Sequence, residues 1–199
     1  MSRSRRVYVV YCHPLADSFI AAVRDRAMAG LATAGHDVRM TDLYADGFRP
    51  ELDCDEHVHY GEPPTTKRGI TAYATTLSWC DTLVLVYPTW WSAQPAMLRG
   101  WFDRVWVQGV AFDLPTTGRF IRPKLTNIKR IVAITSHGSS KWVNAIEGEA
   151  GKRTVTRSLR LMCNRLARTT WLALYRIDRT TPAQRAAFLD RVERQMRRI

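Results

Sequence analysis

The chain has 199 residues and a formal net charge of +12, and 46% of its residues are hydrophobic. This apolar fraction excludes a disordered chain, and the length suits one domain, 1–199, with a sizeable core. The longest apolar runs, such as TLVLVY at 82–87, are too short to cross a bilayer, and the apolar run near the amino terminus stops at His13 without a signal-peptide cleavage pattern.

Alternating strand-like and helix-like segments run along the chain. Apolar patterning predicts strands at 7–12, 36–43, 82–87, 130–135 and 171–177, and helices at 18–34, 66–79, 95–107, 151–168 and 182–198. Strict alternation predicts an α/β fold in which helices cover both faces of a doubly wound, five-stranded parallel sheet. The second strand has the weaker pattern of a sheet edge, which suits the order 2-1-3-4-5. Two long irregular segments, 44–64 and 109–127, are expected to be functional or to cover a site.

Cysteine usage gives information on the compartment and on metals. Four cysteines are scattered without a C-x-x-C pair, so we expect no disulfide framework or zinc ribbon and a reducing, cytoplasmic setting. The thiol of Cys12, at a strand end, is expected to be packed rather than reactive. The segment ELDCDEHVHYGE at 51–62 collects histidines and carboxylates, but its spacing fits no metal-binding motif, and we predict no metal site.

A ligand of such a sheet binds beyond the carboxyl ends of the strands, where the strand order reverses. The loop after the first strand, CHPLADSFIAA at 12–22, opens a helix whose free amides, together with Ser18 and His13, would hold a phosphate. An ordinary helix cap with a satisfied histidine is the alternative. A glycine-rich nucleotide fingerprint is absent, which disfavours a Rossmann nicotinamide site or an NTPase loop.

Two further loops reach the same place. YPTWWSAQP at 87–95 presents Trp90 and Trp91, whose flat faces would suit a planar heteroaromatic ring or would pack in a core or an interface. Trp101 and Trp106 are expected to be packing residues. TSHGSSKW at 135–142 offers amides and hydroxyls for the polar edge of a ring. A phosphate cradle, an aromatic loop and a polar loop together fit a flavin.

The same stretches resemble a known family. VVYCHPLADSF, DLYADGFRP and YPTWWSAQPAMLRGWFDRVWVQGVAF look like the corresponding motifs of the flavodoxin-like NAD(P)H:quinone oxidoreductases, the DT-diaphorase group with its bacterial relatives. The match is long and tryptophan-rich as far as Phe112 and resumes more loosely at ITSHGSSKW. The resemblance implies a two-electron flavoenzyme in which NAD(P)H passes hydride to flavin N5 and a quinone or similar electrophile then takes it from the same pocket. Such chemistry belongs mainly to the cofactor, so no catalytic side chain is predicted.

Site residues follow from the resemblance position by position. It places His13, Ser18, Phe19 and Ile20 at the flavin phosphates, Thr89, Trp90, Trp91 and Ser92 at the ring, and Thr135, Ser136, His137 and Gly138 at its polar edge. It favours FAD, with FMN as the alternative. It also implies a homodimer in which each chain helps to complete the active site of its partner. The segment 109–127 would suit that role unless it is simply a surface loop.

Three positions depart from the family pattern. Quinone-binding members have a glycine pair in the third loop, followed by a tyrosine and a histidine. This chain has His137 and Gly138, with Trp142 near the tyrosine position and Glu147 near the histidine position after a one-residue gap. A negative Glu147 would disfavour a reduced, anionic flavin unless burial protonates its carboxyl, and His137 is an alternative donor.

Positive charge is concentrated in the last quarter, where 151–199 holds twelve arginines and one lysine against three acidic residues. This pattern allows an anionic-membrane contact, a contact with nucleic acid, attraction of NADPH, or simple composition bias. No nucleic-acid motif accompanies it, which makes nucleic acid the less favoured partner. A flavin-containing electron carrier or a regulatory flavoprotein of a membrane system remains the alternative function.

Overall fold

A parallel five-stranded sheet forms the centre of the protein in a computed structural model, which describes residues 4–62, 69–115 and 120–199. Its strands are β1 (Arg6–Tyr11), β2 (Asp37–Asp42), β3 (Thr82–Pro88), β6 (Arg130–Ser136) and β7 (Arg168–Leu174). They lie in the order β2-β1-β3-β6-β7. The predicted order 2-1-3-4-5 is therefore confirmed, because β4 (Phe112–Asp113) and β5 (Arg122–Pro123) pair only with each other, as an antiparallel hairpin.

Helices cover both faces of this sheet, as predicted. They are α1 (Phe19–Thr33), α2 (Cys54–Val58), α3 (Thr71–Trp79), α4 (Ala96–Val105), α5 (Lys141–Ile146), α6 (Ala150–Arg153) and α7 (Pro182–Met196), with a π-helical turn at Thr154–Leu159 and a 3-10 turn at Ile177–Arg179. One core layer lies under α1 and α7, and the other lies under α3, α4 and the π-helical turn. Every residue of β3 is buried, as a central parallel strand requires.

Differences from the predicted boundaries lie mostly in the last third of the chain. The final strand is Arg168–Leu174 rather than 171–177, because the chain leaves the sheet at Leu174 and turns through Arg176, which has a left-handed φ of 56°. The predicted helix 151–168 ends near 161, since Arg160 folds back to donate to the carbonyl of Ala167 at 2.8 Å. Residues 66–68 of the predicted helix 66–79 lie outside the described residues.

Within the described ranges, no helix combines the length and the apolar character that crossing a bilayer requires.

Candidate functional site

Three loops meet at the carboxyl edge of the sheet, where β1 and β3 lie side by side and the strand order reverses. We call them the capping loop (residues 12–18), the tryptophan loop (89–95) and the polar loop (137–140). The capping and tryptophan loops meet at the rings of His13 and Trp90, whose centroids are 6.2 Å apart. The tryptophan loop is joined to β6 by the amide of Thr89, which donates to the carbonyl of Ser136 at 2.8 Å.

The capping loop presents hydrogen-bond donors at the start of α1. Ser18 is the N-cap, and its Oγ accepts from the amide of Ala21 at 3.1 Å, while the same side chain lies next to the phenol of Tyr11. The Nδ1 atom of His13 lies 3.1 Å from the amide of Leu15 and 3.2 Å from the carbonyl oxygen of the same residue, so Nε2 is the ring nitrogen left for a ligand. The side chains of Phe19 and Ile20 pack against the sheet side of α1, and only their amides can serve a ligand.

A strained turn shapes the tryptophan loop. Trp91 and Ser92 have left-handed φ angles of 48° and 61°, which bulky residues rarely adopt. The amide of Trp90 donates to the carbonyl of Ala93 at 3.1 Å, and the reverse bond is 3.2 Å long. The side chain of Trp91 is 100% exposed and that of Trp90 is 44% exposed. Both indoles are thus turned away from the core.

Two other tryptophans and Cys12, which were predicted to be packing residues, are buried in the core. Trp101 and Trp106 are buried, which confirms their predicted role. Burial raises the pKa of the Cys12 thiol to about 12, so the thiol stays protonated at neutral pH.

Thr135 and Ser136 lie behind the tryptophan loop and position it. Both are buried. The hydroxyls of Thr135 and Thr89 are 2.9 Å apart, which links the end of β6 to the tryptophan loop. Their contribution to a ligand site is therefore made through Thr89.

His137 is a buried histidine at the base of the polar loop. Its ring stacks on that of Tyr175 with centroids 4.7 Å apart, and its Nε2 atom lies 3.4 Å from Thr89 Oγ1. Its Nδ1 atom is buried next to Asn144, whose side-chain nitrogen donates to Ser139 Oγ and to the carbonyl of Ser140. Burial lowers the pKa of His137. Gly138 comes next and is closely approached, since a Cβ atom there would lie 3.3 Å from Asp178 Oδ2.

Of the three positions that depart from the family pattern, the two besides His137 lie at α5 and are exposed. Trp142 projects from α5, and Glu147 caps the carboxyl end of this helix. The hydroxyl of Ser92 donates to the carboxylate of Glu147, which ties α5 to the tryptophan loop. The side chain of Glu147 is exposed, so the burial considered for it from the sequence is not observed.

One support of the tryptophan loop comes from Gly151, which lies outside the predicted site residues. The amide of Gly151, at the start of α6, donates to the carbonyl of Ser92 at 3.3 Å, and the side chain of Gln94 donates to the carbonyl of Gly151 at 2.8 Å. A Cβ atom on Gly151 would lie 3.2 Å from Ala93 Cα, so the two backbone segments approach each other closely here. No local signal predicts it, because the partners are more than fifty residues apart.

A cavity of about 820 Å³ opens beside α2, away from the three loops, and part of the acidic segment 51–62 lines it. Its charged groups are engaged in structure: Asp53 caps α2, and Arg104 pairs with Glu56. In the parts of the chain that the structure describes, no group of histidine, cysteine and acidic side chains is arranged to hold a metal ion.

Comparisons with known proteins identify the family. The model of the Flavodoxin_2 family, described as a flavodoxin-like fold, matches residues 5–199, and the chain belongs to this family. A ribosyldihydronicotinamide dehydrogenase [quinone] of Pongo abelii is 29% identical over 153 residues, which are 69% of this chain and 65% of that protein. An uncharacterized NAD(P)H oxidoreductase of Escherichia coli is 33% identical over 55% of this chain and 57% of its own length. The chain thus spans about 57–65% of these curated relatives.

A solved structure extends the similarity over nearly the whole chain. The NAD(P)H:quinone oxidoreductase from Methanothermobacter marburgensis superposes with a TM-score of 0.81 at 27% identity, covering 98% of this chain and 96% of its own. The resemblance to the quinone oxidoreductases that the sequence motifs indicated is confirmed.

Proposed function

We propose that this protein is a flavin-dependent NAD(P)H dehydrogenase of the quinone reductase type. The observation that carries the proposal is Trp91, whose fully exposed indole is held by a left-handed backbone at the point where the strand order reverses. An exposed indole and a strained backbone both cost free energy, which a planar ring stacked on the loop would offset. Membership of a family whose relatives are named as quinone dehydrogenases supports the same function.

The residues present fit a flavin. The side chains of His13 and Ser18 and the amides of Phe19 and Ile20 would hold its phosphates at the positive end of α1. Thr89, Trp90, Trp91 and Ser92 would face the ring system. The polar loop, with the ring of His137 and the amide of Gly138, would bind the pyrimidine edge of the flavin, supported from behind by Thr135 and Ser136. The amide of His137 itself donates to the carbonyl of Leu174 at 2.8 Å. We propose FAD as the cofactor, with FMN as the alternative.

The bound flavin would supply two-electron transfer between NAD(P)H and a quinone-like acceptor, while the protein binds and orients both. Trp142 and Glu147 would lie on the acceptor side, where the exposed indole offers a stacking surface. Burial lowers the pKa of His137, which disfavours its charged form, and the ring would serve as a hydrogen-bond donor toward the polar edge of the flavin. The hydrogen bond from Ser92 tethers the Glu147 carboxylate beside the tryptophan loop.

This activity suits a protein that acts in the cytoplasm as a homodimer, with each chain forming a single domain. Exposed apolar side chains surround the site, including Trp91, Trp142 and Ile146. A second copy that covers part of this surface would complete the pocket and remove apolar area from water. Light scattering of the flavin-loaded protein would measure the mass expected for two chains.

The experiment that tests the function begins with the purified, flavin-loaded protein. The flavin is released by heat and identified by mass, and the loaded protein is titrated anaerobically with NADH or NADPH. We expect bleaching of the flavin absorbance by the nicotinamide and its recovery on addition of a quinone. A protein that dithionite bleaches but that neither nicotinamide reduces would be a flavin electron carrier or a regulatory flavoprotein, and the reductase proposal would be rejected.

A further inference from the structure

The amino edge of the sheet, opposite the three loops, carries a dense positive surface. We call it the amino-edge face and define it by six side chains: Arg5, Arg6, Lys129, Arg130, Arg165 and Arg168. Arg6, Arg130 and Arg168 begin β1, β6 and β7, while Arg165 lies in the turn before β7. Three segments that are far apart in sequence thus contribute to one surface.

The strand register brings like charges together on this face. Arg130 and Arg168 are register partners on the neighbouring parallel strands β6 and β7, so they stand side by side. Burial lowers the pKa of Arg130, and the charges of Arg5 and Arg168 lower it further. Like charges placed together cost free energy, and an anionic partner would relieve that cost.

Few carboxylates neutralise these cations. Among the described residues, none of the six forms an ion pair. Asp37 and Asp81 share the edge, and Asp81 accepts from the amide of Arg6 and the hydroxyl of Thr82. The face therefore keeps an excess of positive charge.

Two leucines project beside these charges. Leu161, at the end of the preceding helix, is 62% exposed, and Leu166, in the turn that also carries Arg165, is 77% exposed. The turn is braced, because Arg160 donates to the carbonyl of Ala167 at 2.8 Å and the amide of Leu166 donates to the side chain of Asn164 at 3.0 Å. Exposed apolar side chains between cations are the combination that binds an anionic bilayer interface.

We propose that the amino-edge face docks the protein on a membrane rich in anionic lipid headgroups, with Leu161 and Leu166 entering the interface. The leucines favour a bilayer over nucleic acid, because a phosphodiester backbone offers them no apolar contact. The seven residues of β6 separate this face from the polar loop by roughly 20 Å, so the three loops stay open to water in the docked protein. This inference does not depend on the proposed reductase activity.

Sedimentation of the full-length protein with lipid vesicles tests the proposal. We expect binding to vesicles that contain phosphatidylglycerol, little binding to pure phosphatidylcholine, and loss of binding as salt rises from about 0.1 M to about 1 M, where screening shortens the Debye length from about 10 Å to about 3 Å. The triple variant Lys129→Gln, Arg165→Gln, Arg168→Gln should partition at least about tenfold more weakly, since each removed cation near the surface is worth about fivefold.

A matched variant separates position from net charge. Arg157→Gln, Arg176→Gln, Arg179→Gln removes the same number of exposed charges away from the amino-edge face and should bind within about twofold of the parent. Equal loss in both triple variants would overturn the proposal, because net charge alone would then explain binding. Failure of the parent to bind the anionic vesicles would also overturn it.

The leucines are tested by Leu161→Ser, Leu166→Ser. This variant should bind the anionic vesicles more weakly while keeping the salt dependence. Vesicle binding equal to that of the parent, together with equally tight binding of a DNA duplex, would identify a general polyanion surface and reject the membrane.

The flavin spectrum and any nicotinamide oxidation of Lys129→Gln, Arg165→Gln, Arg168→Gln should match the parent, because the changes lie at the opposite edge of the sheet. A parent that binds vesicles but does not oxidise nicotinamide would reject the reductase proposal alone.

Discussion

At the scale of single residues, two tryptophans differ in their surroundings, which supports a ligand-binding role for one and a packing role for the other. Trp101 is 0% exposed and packs edge-on against the ring of Tyr8, with centroids 6.2 Å apart. Trp91 is fully exposed, so its indole gains nothing from burial. A residue that contributes no packing and holds a strained backbone is best explained by a ligand.

Alanine substitutions separate these roles. Trp91→Ala should leave the free energy of unfolding nearly unchanged in the flavin-free protein, and it should weaken flavin binding about fivefold to a hundredfold, the usual range for loss of one stacking indole. Trp101→Ala should cost about 3–5 kcal/mol of stability by opening a cavity. Urea unfolding and flavin titration measure the two effects. Full flavin affinity in Trp91→Ala would exclude the stacking role.

At the scale of elements, α1 and α7 lie together on one face of the sheet, and each begins with a hydroxyl cap. Ser18 accepts from the amide of Ala21, and Thr181 accepts from that of Gln184 in a complete capping box. The caps stabilise their helices in the same way. The start of α1 differs because it lies in the loop cluster, beside His13 and the tryptophan loop.

The two caps form a matched pair for testing the phosphate site. Ser18→Ala and Thr181→Ala should each cost about 1 kcal/mol of stability, since each leaves a helix amide without its side-chain partner. Ser18→Ala should also weaken flavin binding, whereas Thr181→Ala should not. Thermal unfolding and flavin titration of both variants would measure this. Equal flavin affinity in the two variants would place the phosphates elsewhere.

At the scale of the whole molecule, two buried histidines make stability depend on pH. Burial is the main cause that lowers the pKa of both His36 and His137 in the folded protein. The unfolded chain binds protons at these residues below about pH 6.5, where the folded protein binds fewer. The free energy of unfolding should therefore fall as the pH decreases below about 6.5.

Urea unfolding at about pH 8 and about pH 5.5 measures this dependence, since the two values lie on either side of the unfolded histidine pKa. The double variant His36→Gln, His137→Gln should lose less stability between these values than the parent does. The control His57→Gln changes an exposed histidine and should keep the parental dependence. An unchanged dependence in the double variant would mean that other groups cause it.

Much of the fold is encoded in local patterns, which is why it could be predicted. β3 is apolar throughout because both of its faces are covered, and the amphipathic segments between strands mark the helices. Strand boundaries were harder to predict where the sheet meets solvent. β7 begins at Arg168, three residues before the predicted start, because an edge strand tolerates the polar residues Arg168 and Thr169. It ends at Leu174 because the chain turns at Arg176.

By itself, the sequence determined the strand order and the three loops of the candidate site, because hydrophobic period and loop position follow from neighbours in the chain. Tertiary structure alone decided what those loops touch: Ser92 meets Glu147, and His137 stacks on Tyr175. It also decided where the positive charge gathers, since the amino-edge face joins β1, β6 and β7 rather than the last quarter alone. Contacts between distant segments depend on how strands and helices pack, and no local pattern records them.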